Sequence, residues 1–125
     1  MIAAKEANMT VLRIVPNLAA ADPQAARAFY ENLLGLDLAM DFGWILTFAG
    51  EGSARPQLSV MSQGGSDTEV PDISIEVDNV DEIYDRARAM GTEIVYALHD
   101  EPWGVRRFFV RDPLGKVLNI LSHQA

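Results

Sequence analysis

DPQAARAFYENLLG (residues 22–35) and DNVDEIYDRARAMG (residues 78–91) read as one element written twice. Each opens on Asp and closes on Gly, and the two spacings are equal. Asp22 fits a helix N-cap, because a carboxylate can accept from the open amides of the first turn. Pro23 fits the first helical position. Ala26, Phe29, Tyr30 and Leu33 recur at helical spacing and predict a buried stripe. Gly35 can take the left-handed conformation that ends a helix. In the second copy Asp78 or Asn79 is the cap, and Asp81 and Glu82 lie near the positive end of the helix dipole. Val80, Ile83, Tyr84, Ala87 and Met90 form its apolar stripe, and Gly91 closes it.

Working outward, a strand-like run precedes each helix, at Val11–Leu18 and Ile73–Val77. Three short apolar runs follow each one. They are Leu36–Met40, Trp44–Phe48 and Gln57–Ser62 in the first half, and Glu93–Tyr96, Val105–Val110 and Val117–Leu121 in the second. Gly43, the 50–56 stretch, the 102–104 stretch and the 112–115 stretch supply the turns. Each half therefore reads βαβββ. The chain is expected to be a single domain over residues 10–125, behind a loose extension at residues 1–9. Module one covers 10–62, a connector 63–71 and module two 72–122. A four-stranded sheet with one helix has one face covered, so the other must meet its copy, a partner chain or a ligand. The expectation is an α+β fold with curved mixed sheets around a cleft.

The composition narrows the function. The 125 residues suffice for a core without staples. There is no Cys, so disulfides, thiolate nucleophiles and zinc-thiolate sites are excluded. No apolar run approaches about 18 residues, so no membrane-spanning helix is expected, and the N-terminus lacks the apolar segment of a secretory signal. A cytoplasmic protein is expected. The net charge of −8 argues against nucleic acid and against an anionic membrane. It favours cationic ligands over anionic ones.

Three stretches bear a family resemblance: VPNLAAADPQAARAFYENLLGL (15–36), DISIEVDNVDEIYDRARAMG (72–91) and GVRRFFVRDPLGKVLNI (104–120). Together they resemble the vicinal oxygen chelate superfamily of glyoxalases, bleomycin resistance proteins and extradiol dioxygenases. Asp-Pro-x-Gly between two apolar strands is the most specific of these pieces. The resemblance implies a metal site of His and Glu side chains, one on each of four inner strands, in the catalytic members. By spacing from the helix caps and from Asp112, three of those positions fall here on Val15, Asp72 and Asn119. The fourth falls within Gln57–Ser62, which holds no His, Asp or Glu. Val15 cannot ligate and Asn119 is a weak neutral donor, whereas a divalent site needs several His or carboxylate ligands. His99, expected in the loop before Pro102, and His123, expected at an exposed C-terminus, do not replace them. No metal, no cofactor and no catalytic residue is therefore expected. The pattern is similar to the bleomycin resistance branch, which implies a homodimer that sequesters a ligand.

Strand alternation supplies candidates for the ligand face. If Val15, Asp72 and Asn119 point inward, then Asn17, Ser74, Glu76, Val117 and Leu121 share that face. Ile14, Leu18, Ile73, Ile75, Val77, Leu118 and Ile120 then pack under the helices. Asn17, Asp72, Ser74, Glu76 and Asn119 are the polar candidates, Glu76 having the alternative of a structural pair with Arg106 or Arg107. Trp44, opening a strand, and Trp103, in a loop, are the aromatic candidates. Phe42, Phe48 and Phe109 read as core, Arg111 with Asp112 as a turn-flanking pair, and Asp112, Pro113 and Gly115 as the turn itself. The sequence thus predicts a metal-free protein that binds a small organic ligand, cationic ones being favoured by charge. The alternative is a metal-dependent lyase, isomerase or dioxygenase of the same superfamily.

Overall fold

The computed structural model describes residues 10–124. The expected loose extension at residues 1–9 lies outside them. The chain divides into two compact units. One is Val15–Asp72; the other combines residues 10–14 with residues 73–124. Strand β1 (Val11–Ala19) runs through both. The expected α+β class is the one observed, with eight strands and few helices.

The Val15–Asp72 unit holds the end of β1, a helical segment, β2 (Asp37–Asp41), β3 (Ile45–Ala49) and β4 (Gln57–Met61). Its strands lie in the order β2-β3-β4-β1, with β4 parallel to β1 and the other pairs antiparallel. The expected regular helix is instead a tight 3-10 turn at Pro23–Ala26 that widens to π-type turns at Phe29–Leu33. Its start is as expected: Asp22 Oδ1 accepts from the Gln24 amide at 3.2 Å. Its end is too, with Gly35 at φ +68°.

The changing pitch alters which side chains are buried. Ala26 and Tyr30 pack against Leu46, Phe48 and Val60, with the Tyr30 and Phe48 rings 5.4 Å apart. Phe29 and Leu33, expected on the same stripe, are rotated off it and exposed. The segment lies over β3 and β4. Leu18, in the row of Val60, is therefore left 43% exposed rather than covered. Ile14 is likewise exposed.

The other unit holds the start of β1, β5 (Ile73–Val77), α1 (Val80–Ala89), β6 (Ile94–Asp100), β7 (Val105–Arg111) and β8 (Val117–His123). The order is β5-β8-β7-β6, with β5 parallel to β8. Asn79, not Asp78, caps α1, its side chain accepting from the Glu82 amide at 3.3 Å. Asp78 instead bonds Thr10, through the Thr10 amide at 2.9 Å. Val80, Ile83, Tyr84 and Ala87 close over Ile75, Val77, Phe108, Val110, Leu118 and Ile120. Met90 falls past the stripe and is 76% exposed. Ser122 fastens the helix to the sheet: its hydroxyl accepts from the Val80 amide at 3.1 Å and donates to the Val77 carbonyl at 2.8 Å.

The Asp-Pro-x-Gly turn forms as expected. Asp112 Oδ1 accepts from the amides of Leu114 and Lys116 at 2.8 and 2.9 Å, and Gly115 takes φ +84°. Arg111 does not pair with Asp112; it binds Glu93 at 3.2 Å and the Gly115 carbonyl at 3.0 Å. No helix among the described residues is long and apolar enough to cross a membrane.

Candidate functional site

In the α1-containing unit, alternation turns one sheet face to α1 and the other away from it. Register fixes who meets whom there. Ser74 pairs with Asn119, and Asn119 with Phe109, which pairs with Tyr96. The adjacent row runs Glu76, Leu121, Arg107, His99. Of the expected site residues, Ser74, Glu76 and Asn119 are thus brought together on the face opposite α1.

Asn119 is 93% buried, since its exposure is 7%. Its amide donates to the Ser74 hydroxyl at 3.0 Å, while its Oδ1 is buried without a hydrogen-bond partner among the described residues. A buried carbonyl oxygen left in that state costs about 1–3 kcal/mol, which a donor brought by a ligand would recover.

Glu76 does not pair with Arg106 or Arg107. Its carboxylate lies 2.6 Å from Arg13 Nε and 2.7 Å from His123 Nδ1. The reason is positional. Arg106 points to the α1 side, where it binds Asp81 at 2.9 Å and Asp100 at 3.0 Å. The Arg106 guanidinium is held above its ordinary pKa by the hydrogen bond to Asp100 first and that to Asp81 second. Arg107 is taken by Glu101, Nε to Oε2 at 2.7 Å. His123 is exposed as expected, but it is bonded, at the end of β8.

Sequence reasoning missed the Arg107 cluster. The guanidinium sits 5.3 Å from the Tyr96 ring, 5.0 Å from Trp103 and 4.8 Å from Phe109. Glu101 also accepts from the Tyr96 hydroxyl at 3.0 Å. His99 is on β6 rather than in a loop, 3.7 Å from Glu101 Oε1. Trp103, expected as a wall for a cationic ligand, is thus stacked on the protein's own cation. Phe109 belongs to this face, not to the core under α1. A signal existed: Tyr96, Arg107 and Phe109 all fall on strands, at positions that alternation can pair.

In the Val15–Asp72 unit a second polar row is buried. Asn17 pairs with Ser59, and Ser59 with Thr47. The Thr47 and Ser59 hydroxyls are 2.8 Å apart, and Asn17 Nδ2 donates to the Pro71 carbonyl at 3.2 Å. Thr47 and Ser59 were not foreseen as site residues. Asp72 lies outside β5 and is exposed; its carbonyl accepts from the Asn17 amide at 3.1 Å. Trp44 sits in the turn before β3, half-buried, its ring 6.4 Å from Phe42.

A model of the Glyoxalase/Bleomycin resistance protein/Dioxygenase superfamily matches residues 10–120. The chain belongs to that superfamily. No curated protein matches it. Several solved structures resemble this superfamily member. One is described as an NAD-dependent benzaldehyde dehydrogenase from Legionella pneumophila, with 18% identity, a TM-score of 0.72, and 90% of this chain and 100% of that one covered. A second is methylmalonyl-CoA epimerase from Mycobacterium tuberculosis, with 18% identity, a TM-score of 0.64, and coverages of 100% and 94%. A third is a glyoxalase/bleomycin resistance protein/dioxygenase superfamily member from Vibrio splendidus 12B01, with 20% identity, a TM-score of 0.61, and coverages of 90% and 99%. At these identities the likeness is one of fold.

The divalent ion that the superfamily's catalytic members hold does not fit the donors here. Val15 offers only carbon. Parallel pairing puts Ser59 beside Asn17, so the step of two back to the row of Val15 reaches Gln57, a neutral amide. Asn119 is an amide that already donates to Ser74, and Asp72 is exposed outside its strand. Among the described residues no group of three or more His, Asp or Glu is placed to hold a metal.

Proposed function

We propose that this superfamily member binds a small organic molecule without a metal ion, on the sheet face opposite α1, and sequesters it. The observation that carries this reading is the buried, unpartnered Asn119 Oδ1 at the position where catalytic relatives are expected to place a ligand for the metal. An amide oxygen there is a hydrogen-bond acceptor for a hydroxyl or N–H of the guest. Phe109, paired across from Asn119, and Leu121, on the same face of β8, are its apolar neighbours, the mixture typical of ligand sites. The two nearby carboxylates, Glu76 and Glu101, already have cationic partners. A preference for cationic guests therefore rests on the net charge of −8 alone.

Within the superfamily, the bleomycin resistance branch is the one this donor pattern suits. The reading includes a cytoplasmic homodimer, for which exposed Phe29, Leu33 and Leu34 provide apolar surface. Thermal-shift and calorimetric titration with bleomycin-type glycopeptides and small aromatic hydroxyl compounds tests the reading. A stabilising guest whose affinity is the same with and without a chelator is expected. Binding or turnover that appears only on adding a divalent ion would establish the metal-dependent lyase, isomerase or dioxygenase instead.

A further inference from the structure

The element written twice in the sequence folds differently in its two copies. In α1, Val80, Ile83, Tyr84 and Ala87 all turn to the sheet, and the outward side carries charged residues such as Asp81, Asp85 and Arg88. In the segment after Asp22, only Ala26 and Tyr30 of the expected stripe pack inward. Phe29, Leu33 and Leu34 are exposed by 54, 66 and 56%. The Phe29 ring stands edge-on to Tyr30, centres 5.1 Å apart, so the exposed ring is held by the core residue beneath it. Three large apolar side chains within six residues make a patch rather than scattered single exposures. A patch of that kind marks a contact surface.

The charges beside the patch define what can cover it. Arg27 and Glu31 each follow an inward residue by one position. They therefore run along one flank of the segment, and Phe29 and Leu33 along the other. Arg27 Nη2 donates to Glu31 Oε2 at 3.1 Å, and the two side chains keep 41% and 29% of their surface open. The flank reads as a positive charge followed, one turn on, by a negative one. A uniformly acidic or basic partner would meet one of them favourably and the other unfavourably. A second copy laid antiparallel across a two-fold axis meets both favourably, with Arg27 facing the partner's Glu31 and Glu31 facing the partner's Arg27. The same axis sets Phe29 against the partner's Leu33. An isologous contact is self-complementary in this way. An anionic membrane is disfavoured as the cover by the net charge of −8.

We infer that the segment around Phe29 is a homodimer interface in which two copies cross antiparallel, covering Phe29, Leu33 and Leu34 and pairing Arg27 with Glu31 between chains. This interface rests on the homodimer reading, and adds to it the face that joins the copies and the charges that set their direction.

Sedimentation velocity of the full chain over a range of concentrations tests it. The unsubstituted protein should reach a dimer. Leu33→Asp should raise the dissociation constant at least about tenfold. Arg27→Glu and Glu31→Arg should each weaken association, since each sets like charges against one another across the axis. An equimolar mixture of these two variants should associate again, as a heterodimer. The double variant Arg27→Glu with Glu31→Arg should dimerise with itself. It keeps an opposite-charge pair within the segment, and circular dichroism should show it as folded as the unsubstituted protein. Undiminished association of Leu33→Asp, or no recovery in both the mixture and the double variant, overturns this interface but leaves a homodimer joined by another face standing. A monomer at every concentration overturns both.

Discussion

Arg107 and Glu101 meet in near-complete isolation from solvent, Nε to Oε2 at 2.7 Å, with side-chain exposures of 3% and 0%. Three aromatic rings crowd the guanidinium, and the Tyr96 hydroxyl adds a second hydrogen bond to the carboxylate. A buried pair of this kind need not add net stability, but losing one partner strands the other charge. Arg107→Ala should therefore cost about 3–5 kcal/mol in urea unfolding. The double replacement Arg107→Met with Glu101→Leu should cost much less than the single one. A double variant as unstable as Arg107→Ala would mean that the stacked rings, not the charge, account for the loss.

The core under α1 makes a contrasting prediction. Phe108 is wholly buried and meets Tyr84 edge-on with ring centres 4.9 Å apart. Phe108→Ala should cost about 3–5 kcal/mol through lost transfer energy and the cavity left behind. Met90→Ala, at the exposed end of the same helix, should fall within about 0.5 kcal/mol of the unsubstituted protein. Denaturant midpoints of the two variants check this directly.

Arg106 is bonded as thoroughly as Arg107 but on the surface, between Asp100 and Asp81. Its raised pKa means that the pair's contribution is fully present below the ordinary guanidinium value and is lost only as pH rises through the folded one. No change is expected across neutral pH. Solvent screening limits the effect of Arg106→Gln to under about 1 kcal/mol, and added salt should shrink it further. A loss as large as that for Arg107→Ala, or one insensitive to salt, would contradict this.

What the sequence revealed, and what it did not, follows one division. The repeat, the strands and the Asp112 turn were legible because periodicity and turn chemistry are local. The ends of elements shifted by a residue or two, and β6 ran on through His99 to Asp100. The irregular pitch after Asp22 was not legible. Tyr30 is drawn to Phe48 by tertiary packing, which overrides the helical repeat that would also have buried Phe29 and Leu33. At the site, alternation correctly grouped Ser74, Glu76 and Asn119. It could not say which cation Glu76 would choose, because Arg13, Arg106 and Arg107 are equally basic in a sequence. Only register separates them. Register also brings the Tyr96 ring near Arg107, which alternation could have suggested, and the turn before β7 adds Trp103, which nothing in the sequence pairs with Arg107.

Asn119 separates stability from binding. Asn119→Leu removes an amide whose Oδ1 is buried and unpartnered, and gives up a bond to Ser74. The two effects oppose each other, so thermal stability should change by less than about 1 kcal/mol. Ligand affinity should fall at least tenfold. An unchanged affinity would remove Asn119 from the binding face.

The account depends above all on the sheet's amides and hydroxyls standing where a metal's ligands would be. The most direct measurement is elemental analysis of the purified protein after incubation with nickel, zinc, manganese and iron(II) and removal of the excess. Retention far below one ion per chain is expected for all four. One ion held per chain through dialysis, and lost on changing residues of several strands, would contradict it.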